Sequence, residues 1–155
     1  MNQNLITAAE FGKTQEVAQL LSEGSQKGLS AEVNCTGLDN WTPLHFAANE
    51  GHLEIIKLLL TQKDVRPNSV SKANRTPLHL ACIRGHTSIA RALQAAKCDL
   101  NIADHEGNTA LHFASESGST DIIIFLLKEC EGVNFRARNN LGQTPHEICA
   151  NIDVF

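Results

Sequence analysis

The sequence predicts an all-α solenoid: one stack of antiparallel helix pairs with β-turns or hairpins projecting between them. Three observations carry this. A seven-residue box opened by threonine recurs as TPLHFAA from Thr42, TPLHLAC from Thr76, TALHFAS from Thr109 and TPHEICA from Thr144, at steps of 34, 33 and 35 residues. A glycine follows at a fixed distance, at Gly51, Gly85 and Gly118. Beyond it lies an amphipathic segment, seen most clearly in Leu53, Ile56, Leu59 and Leu60, whose spacings of three and four place them on one helical face. A unit of this kind exposes an apolar face when alone and buries it only against a neighbouring copy.

The elements follow in chain order. A first copy lacks the Thr-Pro start but keeps Leu5, Ala8, Ala9, Gly12, Val17, Leu20 and Leu21, which match Leu44, Ala47, Ala48, Gly51, Ile56, Leu59 and Leu60 at a constant offset of 39. The offset requires an inserted loop, bounded here as residues 25–32, which is polar and reads as a tolerated surface insertion ahead of a second contact. In the second copy Thr42 is a natural N-cap and Pro43 occupies the first helical position, where a missing amide hydrogen costs nothing. Leu44, Ala47 and Ala48 share one face, and the small alanines admit a close neighbour. Gly51 is expected to end this helix in a left-handed conformation. Polar connectors follow: NCTGLDNWT, then NSVSKANRT and NIADHEGNT in the next copies. Asp104 and Gly107 read as a tight turn, and Asn40 and Asn74 stand where Gly107 stands, asparagine being the next most tolerant of positive φ. The whole chain, 1–155, reads as a single domain with repeats at 1–36, 37–70, 71–103 and 104–138 and a partial fifth at 139–155.

This pattern resembles the ankyrin repeat family, from about Leu5 to Ala150. The resemblance implies an L-shaped stack, a non-enzymatic role in protein–protein interaction as adaptor, scaffold or inhibitor, and no cofactor or metal. An alternative is a regulatory or targeting segment of a longer enzyme, channel or lipid-transfer protein. The first copy departs from the pattern at Ile6 and Thr7, which suits an N-terminal cap. The last departs at His146 and Glu147. Either its helix caps the stack, or the chain is a fragment, the reading favoured by apolar Ile152, Val154 and Phe155 at the end.

Composition narrows the functional class. Thirteen Lys and Arg against seventeen Asp and Glu give a net charge of −4, which argues against a nucleic-acid backbone binder. The longest aliphatic and aromatic run, Ile122 to Leu127, is too short to span a membrane. No basic segment followed by an apolar one opens the chain, and the five cysteines form no CxxC pair. Reduced thiols and a cytoplasmic setting, with the nucleus as the alternative, are therefore expected. Neither a GxxxxGK[ST] loop nor GxGxxG is present. His45, His79 and His112 are box residues, and His52 and His86 follow the helix-ending glycine, so their spacing comes from the repeat. The resemblance gives the box histidines a structural role, hydrogen bonds that tie adjacent units. Cys82 and Cys149 take small-residue core positions, while Cys35, Cys98 and Cys130 lie near connectors. Glu54 and Asp121 recur on a solvated helix face.

The resemblance also implies where a partner binds: the turn tips, the residue before each box threonine and the residues closing each first helix form a concave stripe. The first copy contributes Phe11, and the second Leu38, Asp39, Trp41 and Glu50. The third contributes Lys72, Arg75, Ile83 and Arg84, and the fourth His105, Glu106 and Glu116. Trp41 is the single tryptophan, and Trp and Arg most often dominate binding energy. An acidic or phosphorylated partner segment with a nearby apolar side chain fits the basic third copy. The opposing readings are that Trp41 folds back as packing on Pro43 or its own hairpin, and that Lys72 is ordinary solvation.

Overall fold

The computed structural model describes residues 2–26 and 33–152. Its helices alternate between an inner and an outer row. The inner row holds α1 (Asn2–Glu10), α3 (Pro43–Glu50), α5 (Pro77–Arg84), α7 (Ala110–Glu116) and α9 (Pro145–Ile152). The outer row holds α2 (Thr14–Gln26), α4 (Leu53–Leu60), α6 (Thr87–Ala95) and α8 (Thr120–Ile124). Each inner helix packs on the next inner helix, each outer helix on the next outer helix, and the two helices of a pair on each other. The core is therefore a continuous seam. The recurring leucines and isoleucines Leu44, Ile56, Leu59, Leu78, Ile89, Leu93, Leu111 and Ile122 are all buried, and alanines 8, 9, 47, 48, 81 and 114 let the inner row close up.

The start of each inner helix is a reciprocal cap. The backbone N–H groups of Thr42, Thr76 and Thr109 donate to Nδ1 of His45, His79 and His112 at 3.2, 2.9 and 3.1 Å. His45 and His79 return the bond from their own N–H to the threonine hydroxyl, at 3.4 Å in each case. The capping therefore satisfies helix-end donors from within the box. Glu147 performs the same task for Thr144, accepting from its N–H at 2.7 Å.

The opposite end of α3 and α5 is set by Gly51 and Gly85, at φ 85° and 76°, in the left-handed conformation expected of Gly51.

The connectors differ from a hairpin ladder. Each is a tight turn closed by one backbone bond across its base, Gly37 N–H to Trp41 (2.8 Å), Ser71 to Arg75 (2.9 Å), Asp104 to Asn108 (2.9 Å) and Asn139 to Gln143 (3.0 Å). No strand forms among the described residues. The turns are linked instead to one another, by Lys72 N–H to the Asp39 carbonyl (2.8 Å), His105 to Ala73 (3.1 Å) and Asn140 to Glu106 (2.9 Å). Asn40 and Asn74 both have φ 60° at the position where Gly107 has 79°, as the turn chemistry requires, and Asp39 joins them at 54°. On the far side of the units, Asn34 and Asn101 each bridge to the next connector, through the carbonyl of Asp64 and the N–H of Arg66, and through the carbonyl of Gly132 and the N–H of Asn134.

Three expectations need correction or placing. The fourth outer helix is not regular: α8 continues from Phe125 to Glu129 as a π turn, a wider winding. Cys35, Cys98 and Cys130, near the connectors, are buried at the edge of the core. The insertion begins as the end of α2, and residues 27–32 lie outside the described residues, as do Val154 and Phe155.

Candidate protein-interaction face

The repeat residues are used up inside the stack. Nε2 of His45, His79 and His112 donates forward to the backbone carbonyls of Arg75, Asn108 and Gln143, at 3.0, 3.2 and 3.1 Å. With Nδ1 accepting from threonine, each imidazole is the neutral Nε2–H tautomer with both nitrogens satisfied. Burial, partly offset by those carbonyls, lowers the pKa of His45 and of His79 from 6.5 to about 4, and that of His112 moves the same way. His52 and His86 reach backward, from Nε2 to the carbonyls of Glu10 and Asn49 at 3.1 and 3.2 Å. Five histidines thus staple neighbouring units in both directions. Among the described residues no group of three or more His, Cys, Asp or Glu is placed to hold a metal. Burial also pushes the Cys82 thiol above its usual range and that of Cys98 up to about 12, so neither is an activated nucleophile.

The variable positions lie where the repeat residues do not. Leu38 and Phe11 are 80% and 66% exposed, and Asp39, Glu50, Lys72, Arg84, His105, Glu106 and Glu116 are exposed as well. Phe11, Glu50 and Arg84 occupy one register at the ends of successive inner helices. Leu38, Lys72 and His105 occupy one register at the turn tips. The cross-links between turns hold these tips in a fixed row.

The structure divides the candidates by how far they are committed. Trp41 is half-buried, with its ring 5.0 Å from Phe46 edge-on and 6.2 Å from His45 in a stacked arrangement, so it packs on its own unit while leaving part of its surface to solvent. Arg75 is not a free cation. Its Nε donates to the buried carboxylate of Asp104 at 3.1 Å, and its guanidinium lies 4.9 Å from the Phe113 ring centroid. Asp104 in turn accepts the N–H groups of Glu106 and Asn108, at 2.9 and 3.0 Å, which shapes the turn. Lys72 lies 3.5 Å from Asp39 on the neighbouring tip. Two basic side chains of the third unit, Lys72 and Arg75, are therefore paired with carboxylates of the units on either side. Arg84 is exposed and its Nε donates to Asn49 at 3.2 Å. Ile83 is half-buried beside it. Leu141, a stripe position of the partial fifth copy, is 83% exposed at the fourth tip, and sequence reasoning missed the contacts that Phe46 makes with Trp41 and Phe113 with Arg75. Phe113 is itself core and Phe46 packs against the core, so the box pattern reads them correctly but does not show the neighbours their rings touch.

Among the described residues no helix is long and apolar enough to cross a membrane.

A family model described as ankyrin repeats (3 copies) matches residues 5–104, 59–140 and 92–153. The chain is 35% identical over 128 residues to the probable E3 ubiquitin-protein ligase XBOS33 of Oryza sativa subsp. japonica, covering 82% of this chain and 24% of that protein. It is 36% identical over 139 residues to human Rabankyrin-5, covering 89% of this chain and 11% of the relative. It is 38% identical over 56 residues to oxysterol-binding protein homolog 2 of Saccharomyces cerevisiae, covering 36% and 4%. The chain thus spans no more than 24% of the length of these relatives.

Proposed function

Because the chain belongs to the ankyrin repeat family, which is generally a non-catalytic interaction module, we propose that it acts as an adaptor, scaffold or inhibitor, gripping a partner protein on the stripe from Phe11 through Leu38, Trp41 and Glu50 to Arg84. One observation supports this most: the recurring residues are buried or bonded inside the stack, while unlike residues hold one register on a cross-linked row of tips and helix ends. Such a row needs little ordering on binding. The commitment of Arg75 to Asp104 and of Lys72 to Asp39 shifts the weight away from a purely acidic or phosphorylated partner. Apolar contact with Leu38, Phe11 and the open side of Trp41 carries more of the energy, with Arg84 supplying the charge.

The test is a double variant, Leu38→Asp with Arg84→Glu, in pull-down and calorimetry against the captured partner. A folded double variant that binds at least about tenfold more weakly supports the reading, and unchanged affinity overturns it. A second reading, a targeting or regulatory segment within a longer polypeptide, is supported by the relatives, whose names include a ligase and an oxysterol-binding protein. Immunoblotting the endogenous protein tests it, since a band well above 16.9 kDa is then expected.

A further inference from the structure

Between the third and fourth turns lies a recess of about 310 Å³, lined by Glu106, Asn108, Asn139, Asn140 and Leu141. One unit earlier the same register positions are Ala73, Arg75, Asp104, His105 and Glu106. There the stack supplies its own occupant: Arg75 reaches across to the next turn, with Nε 3.1 Å from the Asp104 carboxylate. The position before the box threonine is Trp41 in the second copy and Arg75 in the third, both long side chains. In the fourth it is Asn108, whose short amide accepts the Asn139 side-chain N–H at 2.9 Å. The Asn108–Asn139 contact thus takes the place of the Arg75–Asp104 pair, and the space that an arginine fills in the preceding unit stays open.

The turn frames are otherwise alike. Asp104 accepts the N–H groups of Glu106 and Asn108 at 2.9 and 3.0 Å, and Asn139 those of Leu141 and Gln143 at 3.1 and 2.9 Å. The recess therefore keeps the backbone frame of the Arg75 site without its cation. Leu141, 83% exposed, gives it an apolar wall. Glu106 is exposed, and no Lys or Arg among the described residues pairs with it. Its carboxylate accepts the Asn108 amide at 3.4 Å and has capacity left, as has the Asn108 oxygen. A following repeat would not cover these groups: Asp39, Ala73 and Glu106, which correspond to Leu141, are all exposed although another turn follows each. An apolar stem that ends in a planar cation matches such walls.

We propose that this recess takes an arginine side chain of a partner protein, with its methylenes along Leu141 and its guanidinium between the Glu106 carboxylate and the Asn108 amide oxygen. The assignment rests on the reading of the row of tips as a protein-binding face and adds the chemistry of one contact to it.

The probe is N-acetylarginine N-methylamide, titrated into isotope-labelled protein and followed by amide chemical shifts, beside its lysine and norleucine analogues. Saturable shifts are expected at Glu106, Asn108, Asn139 and Leu141, with a Kd of about 1–10 mM for a single contact of this size. The lysine analogue should bind more weakly, since an ammonium cannot span carboxylate and amide together, and the norleucine analogue should not bind. Glu106→Gln should weaken binding at least about threefold. Asn108→Arg should fill the recess from within and abolish the shifts while the protein stays folded, because Arg75 already holds that pose one unit earlier. Leu38→Asp with Arg84→Glu should bind the probe unchanged, so that failure of the recess and failure of the wider stripe are told apart. Absence of saturable shifts, equal binding of the lysine or norleucine analogue, or indifference to both Glu106→Gln and Asn108→Arg would each overturn the proposal.

Discussion

The imidazole of His86 sits against the α-carbon of Gly51: a β-carbon added to this glycine would lie 2.9 Å from His86 Cε1. The same relation joins His52 to Gly12 one unit earlier, at 2.7 Å. The glycine serves two purposes, a left-handed φ and clearance for the histidine that reaches back to the carbonyl of Asn49.

Gly51→Ala should therefore cost more than Gly118→Ala, which has φ 65° but nothing within 4 Å of an added β-carbon. The conformational part is about 1 kcal/mol in both, and the clash adds roughly 1–2 kcal/mol at Gly51. Urea unfolding of both variants, and of Gly51→Ala combined with His86→Ala, separates the parts. Equal losses at Gly51 and Gly118 would rule out the contact.

Acid should weaken the stack before it protonates the box histidines. Unfolded, each imidazole takes up a proton near 6.5, whereas in the fold His45 and His79 remain neutral down to about 4. Between these values the unfolded chain holds more protons, so stability falls as the pH falls, by about 1.4 kcal/mol per pH unit for each proton. The contribution is complete above the ordinary histidine range and lost on acidification through about pH 4, with His112 adding in the same direction. The urea midpoint should drop from about pH 7 to about pH 4.5. His79→Gln should show a lower midpoint but a shallower slope, and a flat wild-type profile would contradict the assignment.

Asp104 should matter more to stability than its partner Arg75. Arg75→Ala removes one half-exposed pairing and the cover over Phe113, a loss of about 1 kcal/mol. Asp104→Ala also removes the acceptor of two turn N–H groups and should cost roughly 2–3 kcal/mol. Thermal melts of both single variants and the double variant give the coupling. An Arg75 loss larger than that of Asp104 would show that the cation, and not the turn, governs this site.

Trp41 and Leu38 should part company in mutagenesis. Trp41→Ala strips packing from Phe46 and His45 and should lower stability by about 2 kcal/mol as well as affinity. Leu38→Asp should stay within about 0.5 kcal/mol of wild type in stability. Circular-dichroism melts beside binding isotherms distinguish the two effects.

Much of the fold was legible because it rests on identity at a fixed period. Threonine followed by proline announces the cap, though not the histidine that completes it, and Asn40 and Asn74 announce the turn by standing where Gly107 stands. The forward histidine links came only through the family resemblance. What stayed hidden lies between residues about thirty positions apart whose identities do not repeat. Nothing in the third copy distinguishes Arg75 as the partner of Asp104 from Arg84 as an exposed side chain, since both are arginines at stripe positions. The backward reach of His52 and His86 was equally silent, because a histidine after a glycine is ordinary turn chemistry until the preceding helix end is in place. The π turn leaves no local signature in FLLKE, and the longer step to Thr144 arises in the connector beyond it, after Asn134.

The relay of imidazoles has a beginning and an end. Ile6 stands where a forward-reaching histidine would sit in the first unit, and Glu147, which caps Thr144, has no hydrogen to offer a carbonyl beyond it. Interior units thus take histidine bonds from both neighbours, whereas α9 takes one from His112 and returns none, resting otherwise on the turn bonds and its packing against α7. Amide exchange should accordingly open from the α9 edge inward, with the last box fraying while the middle of the seam remains closed to deuterium.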